Sequence, residues 1–144
     1  MRKEKKKGSK SRDRGKIKPD SVENLIQKAN DAISKVQFEL AQSFYEKALE
    51  LEPLNTNLMD ALADVQLQLG NSEYAFDLLS KSTELSPEEN PFKWLYFGQL
   101  QDGLDALTSF ERGVSLLVSI FENNPEVFSF AITLSLSNRP SLVW

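Results

Sequence analysis

Cysteine and histidine are both absent from this 144-residue sequence. Their absence excludes disulfide bonds, thiol nucleophiles, the commonest general base and the softer metal ligands. The six glycines form no glycine-rich phosphate loop, so nucleotide chemistry is not indicated either. An enzyme would have to rely on Asp, Glu, Ser or Lys alone. The composition therefore predicts a non-catalytic binding protein without metal or cofactor.

Charge is distributed unevenly along the chain. Residues 1–18 hold ten Lys or Arg against two acids, a local charge of +8, whereas residues 19–144 hold seven Lys or Arg against 19 acids, a charge of −12. A segment so rich in like charge cannot bury enough apolar surface to offset its ordering entropy. Residues 1–19 are therefore predicted to form a disordered basic tail. No apolar run follows it as in a secretory signal, and no run of 18 apolar residues could span a membrane.

The basic clusters of this tail are typical of a nuclear-import signal, which predicts a protein of nucleus and cytoplasm. The residues of these clusters are Lys5, Lys6, Lys7, Arg12, Arg14, Lys16 and Lys18. An alternative is that the tail binds RNA phosphates, which would give a salt-dependent and sequence-independent affinity. The tail has no aromatic residue for base stacking, and the acidic remainder of the chain would repel a polyanion.

The remainder of the chain repeats itself with an offset of 34 residues. The identical pairs are Ala29 and Ala63, Glu39 and Glu73, Ala41 and Ala75, Lys47 and Lys81, Glu50 and Glu84, Leu51 and Leu85, and Pro53 and Pro87. Apolar residues at helical spacing predict two helices in each unit, over residues 22–34 and 38–51 in the first. Pro53 and Pro87 should each stop the second helix of a unit. Ser21 and Ser72 are candidate N-caps, with a turn at Gly70 and Asn71.

A helix-turn-helix of this length resembles the tetratricopeptide repeat. The motif has small residues at positions 8, 20 and 27 and a proline at position 32. The first unit places Ala29, Ala41, Ala48 and Pro53 there, and the second places Ala63, Ala75, Ser82 and Pro87. The resemblance implies an all-α fold, a right-handed superhelix of antiparallel helix pairs, in which small residues let helices approach closely. The alternative is an ordinary antiparallel helical bundle.

A third unit departs from the motif. Trp94 resembles an opening position and Ala106 resembles position 20, but 12 residues separate them where the motif has 16. We expect helices near residues 91–100 and 104–121, joined at Asp102 and Gly103. This shortened segment, which begins KWLYFGQL, is similar to the dedicated assembly chaperones of ribosomal large-subunit protein four. The resemblance implies a monomeric repeat domain over residues 20–122, with units at about 22–55, 56–89 and 90–122, that captures a basic ribosomal protein.

In tetratricopeptide arrays the first helix of each unit lines a concave groove. The corresponding residues here are Glu23, Ile26, Asn30, Ile33 and Ser34 in the first unit, and Asn57, Asp60, Asp64, Leu67 and Gln68 in the second. These positions include three carboxylates and no Lys or Arg. Asp60 and Asp64, both expected to be exposed, would repel each other at i, i+4, so a cationic partner would suit this face. The alternative is that they are ordinary solvated surface acids.

The same positions bear on two other functions, a cochaperone and an enzyme. A cochaperone that grips acidic C-terminal peptides needs Lys, Asn and Asn where this chain has Ile26, Asn30 and Ala61. Only one of the three matches, so a partner of that class is disfavoured, although a generic adaptor for another protein stays open. The paired carboxylates Asp60 and Asp64 lack the metal ligands or cofactor motif that an enzyme would need.

Residues 123–144 form an atypical apolar C-terminal tail without the repeat pattern. The related chaperones continue with further helices. One hypothesis is that the chain is a truncated or alternatively spliced form. The alternative is that this tail is a cap that lies across the last helix pair. An exposed apolar tail would favour aggregation.

Overall fold

The computed structural model describes residues 20–127 together with Ser129 and Thr133. The basic tail of residues 1–19 lies outside the described residues, as does most of the apolar C-terminal tail. Between them lie six helices, with no strand among the described residues. The helices are α1 (Val22–Ser34), α2 (Phe38–Leu51), α3 (Thr56–Gln68), α4 (Ser72–Leu85), α5 (Pro91–Gln99) and α6 (Gly103–Asn123).

The helices pack in chain order. The most extensive contacts join α1 to α2, α3 to α4 and α5 to α6, and smaller contacts join α2 to α3 and α4 to α5. Three residues separate the two helices within each pair, which leaves room only for a tight turn between antiparallel neighbours. The result is a stack of three helical hairpins whose main contacts join hairpins that follow each other in the chain.

Alanines at the repeat positions are buried in the core that the helices share. Ala29, Ala41, Ala48, Ala63 and Ala75 are all fully buried. A methyl side chain lets two helix backbones approach, so the larger neighbouring side chains fill the remaining space at the density of a protein interior. The 34-residue spacing of small residues in the sequence is thus the spacing of helix-to-helix contacts in the fold.

Of the two predicted N-caps, one is confirmed and one is wrong. Ser21 caps α1, because its Oγ accepts a hydrogen bond from the Asn24 backbone N–H at 3.2 Å. The prediction that Ser72 caps α4 is wrong, since Ser72 is the first residue of the helix and Asn71 precedes it as the cap. The Asn71 side chain donates instead to Gln66 Oε1 at 2.8 Å, and Gly70 supplies the left-handed turn with φ of 79°.

The third hairpin owes its compactness to two glycines. Its first helix, α5, has 9 residues, and α6 has 21. A Cβ atom at Gly98 would lie 3.1 Å from the Phe110 ring, and one at Gly113 would lie 2.6 Å from Leu95 Cδ2. Glycine therefore lies where the two helices are in contact. Helix α5 ends at Gln99, one residue before the predicted end.

Candidate partner-binding groove

The first two units form a pocket between α1 and α3. It has a volume of about 340 Å³. The residues that line this α1–α3 pocket are Ile26 and Asn30 of α1, Tyr45 of α2, the α3 cap Asn55, and Asn57, Leu58 and Ala61 of α3. Three of the predicted groove residues, Ile26, Asn30 and Asn57, are thus brought together. Tyr45 belongs to the buried core and also forms part of the pocket wall.

Tyr45 fixes one side of this pocket. Its ring is 4% exposed, and its hydroxyl donates a hydrogen bond to Asn30 Oδ1 at 2.7 Å. Burial raises the pKa of the Tyr45 hydroxyl, and the negative charge of Asp64 raises it further. The hydroxyl therefore remains a neutral donor at physiological pH, and it holds the Asn30 amide in one orientation.

Asp60 is not the exposed groove carboxylate that the sequence predicts. The residue is half-buried, and both of its oxygens accept hydrogen bonds from the next elements of the fold. Ser82 Oγ donates to Oδ1 at 2.5 Å, and Asn90 Nδ2 donates to Oδ2 at 2.7 Å. Asp60 therefore ties α3 to α4 and to the start of α5. Its partners lie 22 and 30 residues away, so helical spacing could not indicate them.

A buried lysine completes this arrangement and was missed by the sequence reasoning. Lys93 of α5 is 1% exposed. Its Nζ donates to Ser86 Oγ at 2.8 Å, to the Ser82 carbonyl at 3.2 Å and to Ser82 Oγ at 3.4 Å. Burial lowers the pKa of Lys93, while Asp60 and Glu89 act to raise it. We call this set, Asp60, Ser82, Ser86, Asn90 and Lys93, the Asp60 network. The sequence held two signals of this network: Ser82 stands at a small-residue position of the repeat, and Lys93 precedes Trp94.

The other predicted groove residues divide by exposure. Glu23, Ser34, Asn57, Asp64 and Gln68 are exposed. Ile33 and Leu67 are half-buried and pack against the core, so they contribute to stability rather than to an open surface. Asp64 and Glu23 are therefore the two predicted carboxylates that remain open to a partner.

The segment that carries the chaperone resemblance has a structural role here. Trp94 Nε1 donates to the Pro87 carbonyl at 2.9 Å. Phe97 packs against Trp94 and Phe76, with ring centroids 6.4 and 5.1 Å apart. These contacts join α5 to α4 and to the turn between them, so the third unit is docked on the second by its aromatic residues.

The described part of the chain shows no group of three acidic side chains arranged to hold a metal ion. Within that same part, none of the helices combines the length and the apolar character needed to cross a membrane.

No family model matches this sequence, and no curated protein matches it either. Solved structures do match. MamA aligns over 71% of this chain and 61% of its own, with a TM-score of 0.63 and 14% identity. The assembly chaperone of RpL4 (Acl4, residues 1–338) aligns over 84% of this chain and 45% of its own, with a TM-score of 0.67 and 20% identity.

A third match is the first TPR of Spaghetti (RPAP3), solved with the HSP90 peptide SRMEEVD. It aligns over 80% of this chain and 94% of its own, with a TM-score of 0.63 and 19% identity. This chain therefore spans less than two thirds of MamA and less than half of the Acl4 structure. At these identities the likeness shows the fold, which is an all-α, tetratricopeptide-type superhelix of antiparallel helix pairs, as the sequence predicts.

Proposed function

We propose that this protein is a non-catalytic scaffold that binds a basic polypeptide in the groove formed by α1 and α3. The observation that carries the proposal is the charge of the accessible groove residues. Glu23 and Asp64 are exposed there, while Lys93, the cation on which the charge of Asp60 acts, is buried in the Asp60 network. Across residues 20–127, 19 acids stand against six Lys or Arg. A field of one sign steers a partner of the opposite sign and raises its association rate.

The partner that we propose is a basic protein of the ribosomal large subunit, captured before its assembly. Two observations support this choice. The fold matches that of an assembly chaperone of RpL4 over 84% of this chain. The shortened third unit, with Trp94 and Phe97 docked on α4, carries the sequence similarity to such chaperones.

The acidic peptide bound by the RPAP3 domain suggests a second candidate, a cochaperone for heat-shock proteins. The α1–α3 pocket argues against it. Ile26 and Ala61 line this pocket where that class of domain needs Lys and Asn, and no Lys or Arg lines the pocket within the described residues. An anionic peptide would lose its water shell there without gaining a charged partner.

The proposal predicts that Asp64→Lys weakens binding of ribosomal large-subunit protein four by at least about tenfold at low salt, because a reversed charge in the groove opposes a cationic chain. The matched control is Asp77→Lys, which makes the same change at an exposed position on the second helix of the unit. Binding is measured by isothermal titration calorimetry with purified proteins at two salt concentrations. Wild-type affinity should fall as salt rises, since screening acts over about 8 Å at physiological ionic strength.

Two results would contradict the proposal. One is equal loss of affinity in Asp64→Lys and Asp77→Lys, which would indicate a nonspecific charge effect. The other is binding of the peptide SRMEEVD to the wild type with an affinity that survives Asp64→Lys, which would support the cochaperone function instead.

A further inference from the structure

The α1–α3 pocket combines an apolar interior with an amide rim. Ile26, Leu58, Ala61 and the ring of Tyr45 supply its apolar surface, and Leu58 and Tyr45 are nearly fully buried. Asn30 and Asn57 are both exposed at its edge. Such a combination of apolar walls and a few placed polar groups is typical of a ligand site.

Three amides line the pocket, and two of them remain available to a ligand, because Asn55 donates to Glu52 Oε2 and accepts from the Leu58 backbone N–H. The Asn30 Oδ1 atom accepts the Tyr45 hydroxyl at 2.7 Å, which leaves the Asn30 Nδ2 hydrogens to point elsewhere. Among the described residues, neither Asn30 Nδ2 nor the Asn57 side chain makes a hydrogen bond. Amide side chains held in this way suit the backbone of an extended peptide, because each can donate to a carbonyl or accept from an N–H.

A carboxylate lies close to the pocket on one side. Asp64 is three residues beyond Ala61 on α3, so the two share a helix face, and Asp64 is exposed. Asp60, one turn earlier on α3, is already bonded to Ser82 and Asn90. The exposed negative charge of Asp64 thus adjoins an apolar pocket that no Lys or Arg lines among the described residues.

We propose that the α1–α3 pocket takes an aliphatic side chain from an extended, basic segment of the partner. Asn30 and Asn57 bind the peptide groups on either side of that side chain, and Asp64 pairs with a Lys or Arg adjacent to it. The inference rests on the proposed function and goes further, because it states which residues the groove selects within a basic chain: one aliphatic residue flanked by cations.

The test uses two peptides and the whole 144-residue chain. The probes are fluorescein-labelled KKKLKKK and KKKGKKK, which carry the same charge and differ only in the central side chain. Fluorescence anisotropy should show that the leucine peptide binds the wild type at least about tenfold more tightly, because burying a leucine side chain is worth that factor or more. Ala61→Leu, which fills the pocket, should reduce this ratio to near one. Asn57→Leu removes one of the two rim amides, and because Asn57 is exposed, the substitution should leave the fold intact.

The outcomes separate the two proposals. Equal binding of both peptides to the wild type, with binding lost in Asp64→Lys, would overturn the pocket and leave the acidic groove standing. If neither peptide binds, both proposals are overturned. A preference for leucine that persists unchanged in both Ala61→Leu and Asn57→Leu would place the aliphatic side chain elsewhere and would overturn the pocket as its site.

Discussion

Asp60 and Asp64 are one helical turn apart on α3, and their surroundings give them different roles. Asp60 accepts hydrogen bonds from Ser82 and Asn90 and lies near the buried Lys93. Asp64 is exposed, and its negative charge helps to raise the pKa of the Tyr45 hydroxyl. A buried cation needs hydrogen-bond partners and a compensating charge, so Asp60 serves the fold whereas Asp64 can serve binding.

This difference predicts unequal stability effects. Asp60→Ala should lower the free energy of unfolding by about 1–3 kcal/mol. The Ser82 hydroxyl loses its hydrogen-bond acceptor, and the buried Lys93 ammonium loses a nearby negative charge. Asp64→Ala, the matched control on the same helix, should change it by less than about 0.5 kcal/mol, since exposed positions tolerate substitution. Urea denaturation followed by circular dichroism measures both. Identical midpoints for the two variants would show that the Asp60 network does not stabilise the fold.

At the scale of the helix, the fully buried alanines define how closely the units pack. Ala41 and Ala75 occupy equivalent places in α2 and α4, and neither has exposed surface. Because a close-packed interior leaves no room for added methylene groups, these positions limit the distance between the two helices of a hairpin.

Ala75→Leu should therefore force α3 and α4 apart and lower the unfolding free energy by about 1–3 kcal/mol, the usual cost of overpacking. Asp77→Leu adds a leucine at an exposed position of the same helix and is the control. Thermal denaturation compares the two proteins with the wild type. An unchanged melting temperature for Ala75→Leu would mean that Ala75 does not lie at the contact between the helices.

At the scale of the whole chain, a strongly acidic repeat domain is joined to a basic N-terminal segment. The +8 charge of residues 1–18 opposes the acidic character of residues 20–127. We propose that this segment is a nuclear-import signal and that the protein occupies both nucleus and cytoplasm. A scaffold that captures a basic protein before assembly would then travel with it to the nucleus.

Deleting residues 1–18 should abolish nuclear accumulation and leave partner binding within about twofold of the wild type, because the groove lies in α1 and α3. The measurement pairs fluorescence microscopy, on a fusion too large to enter the nucleus passively, with calorimetry on the purified proteins. An RNA-binding tail would give a different result: the deletion would remove salt-dependent affinity for an RNA oligonucleotide while nuclear accumulation persisted.

The sequence alone determined the helical repeat and its register. The bounds of α1 and α2 agree with the predicted residues 22–34 and 38–51. Ala29 and Ala63 are buried, as the repeat pattern requires. These features could be predicted because they depend on local periodicity, on proline positions and on side-chain size, all of which are visible along the chain.

Only the tertiary structure decided what the polar residues of the groove do. The Asp60 network joins α3, α4 and the start of α5, so it is complete only where the second and third hairpins pack together. The α1–α3 pocket likewise includes Tyr45, whose hydroxyl reaches Asn30 across 15 positions of sequence. A helical period reports which face a residue occupies, but burial and hydrogen-bond partners depend on the neighbouring helices. For that reason Asp60 and Asp64 look equivalent in the sequence and differ in the fold.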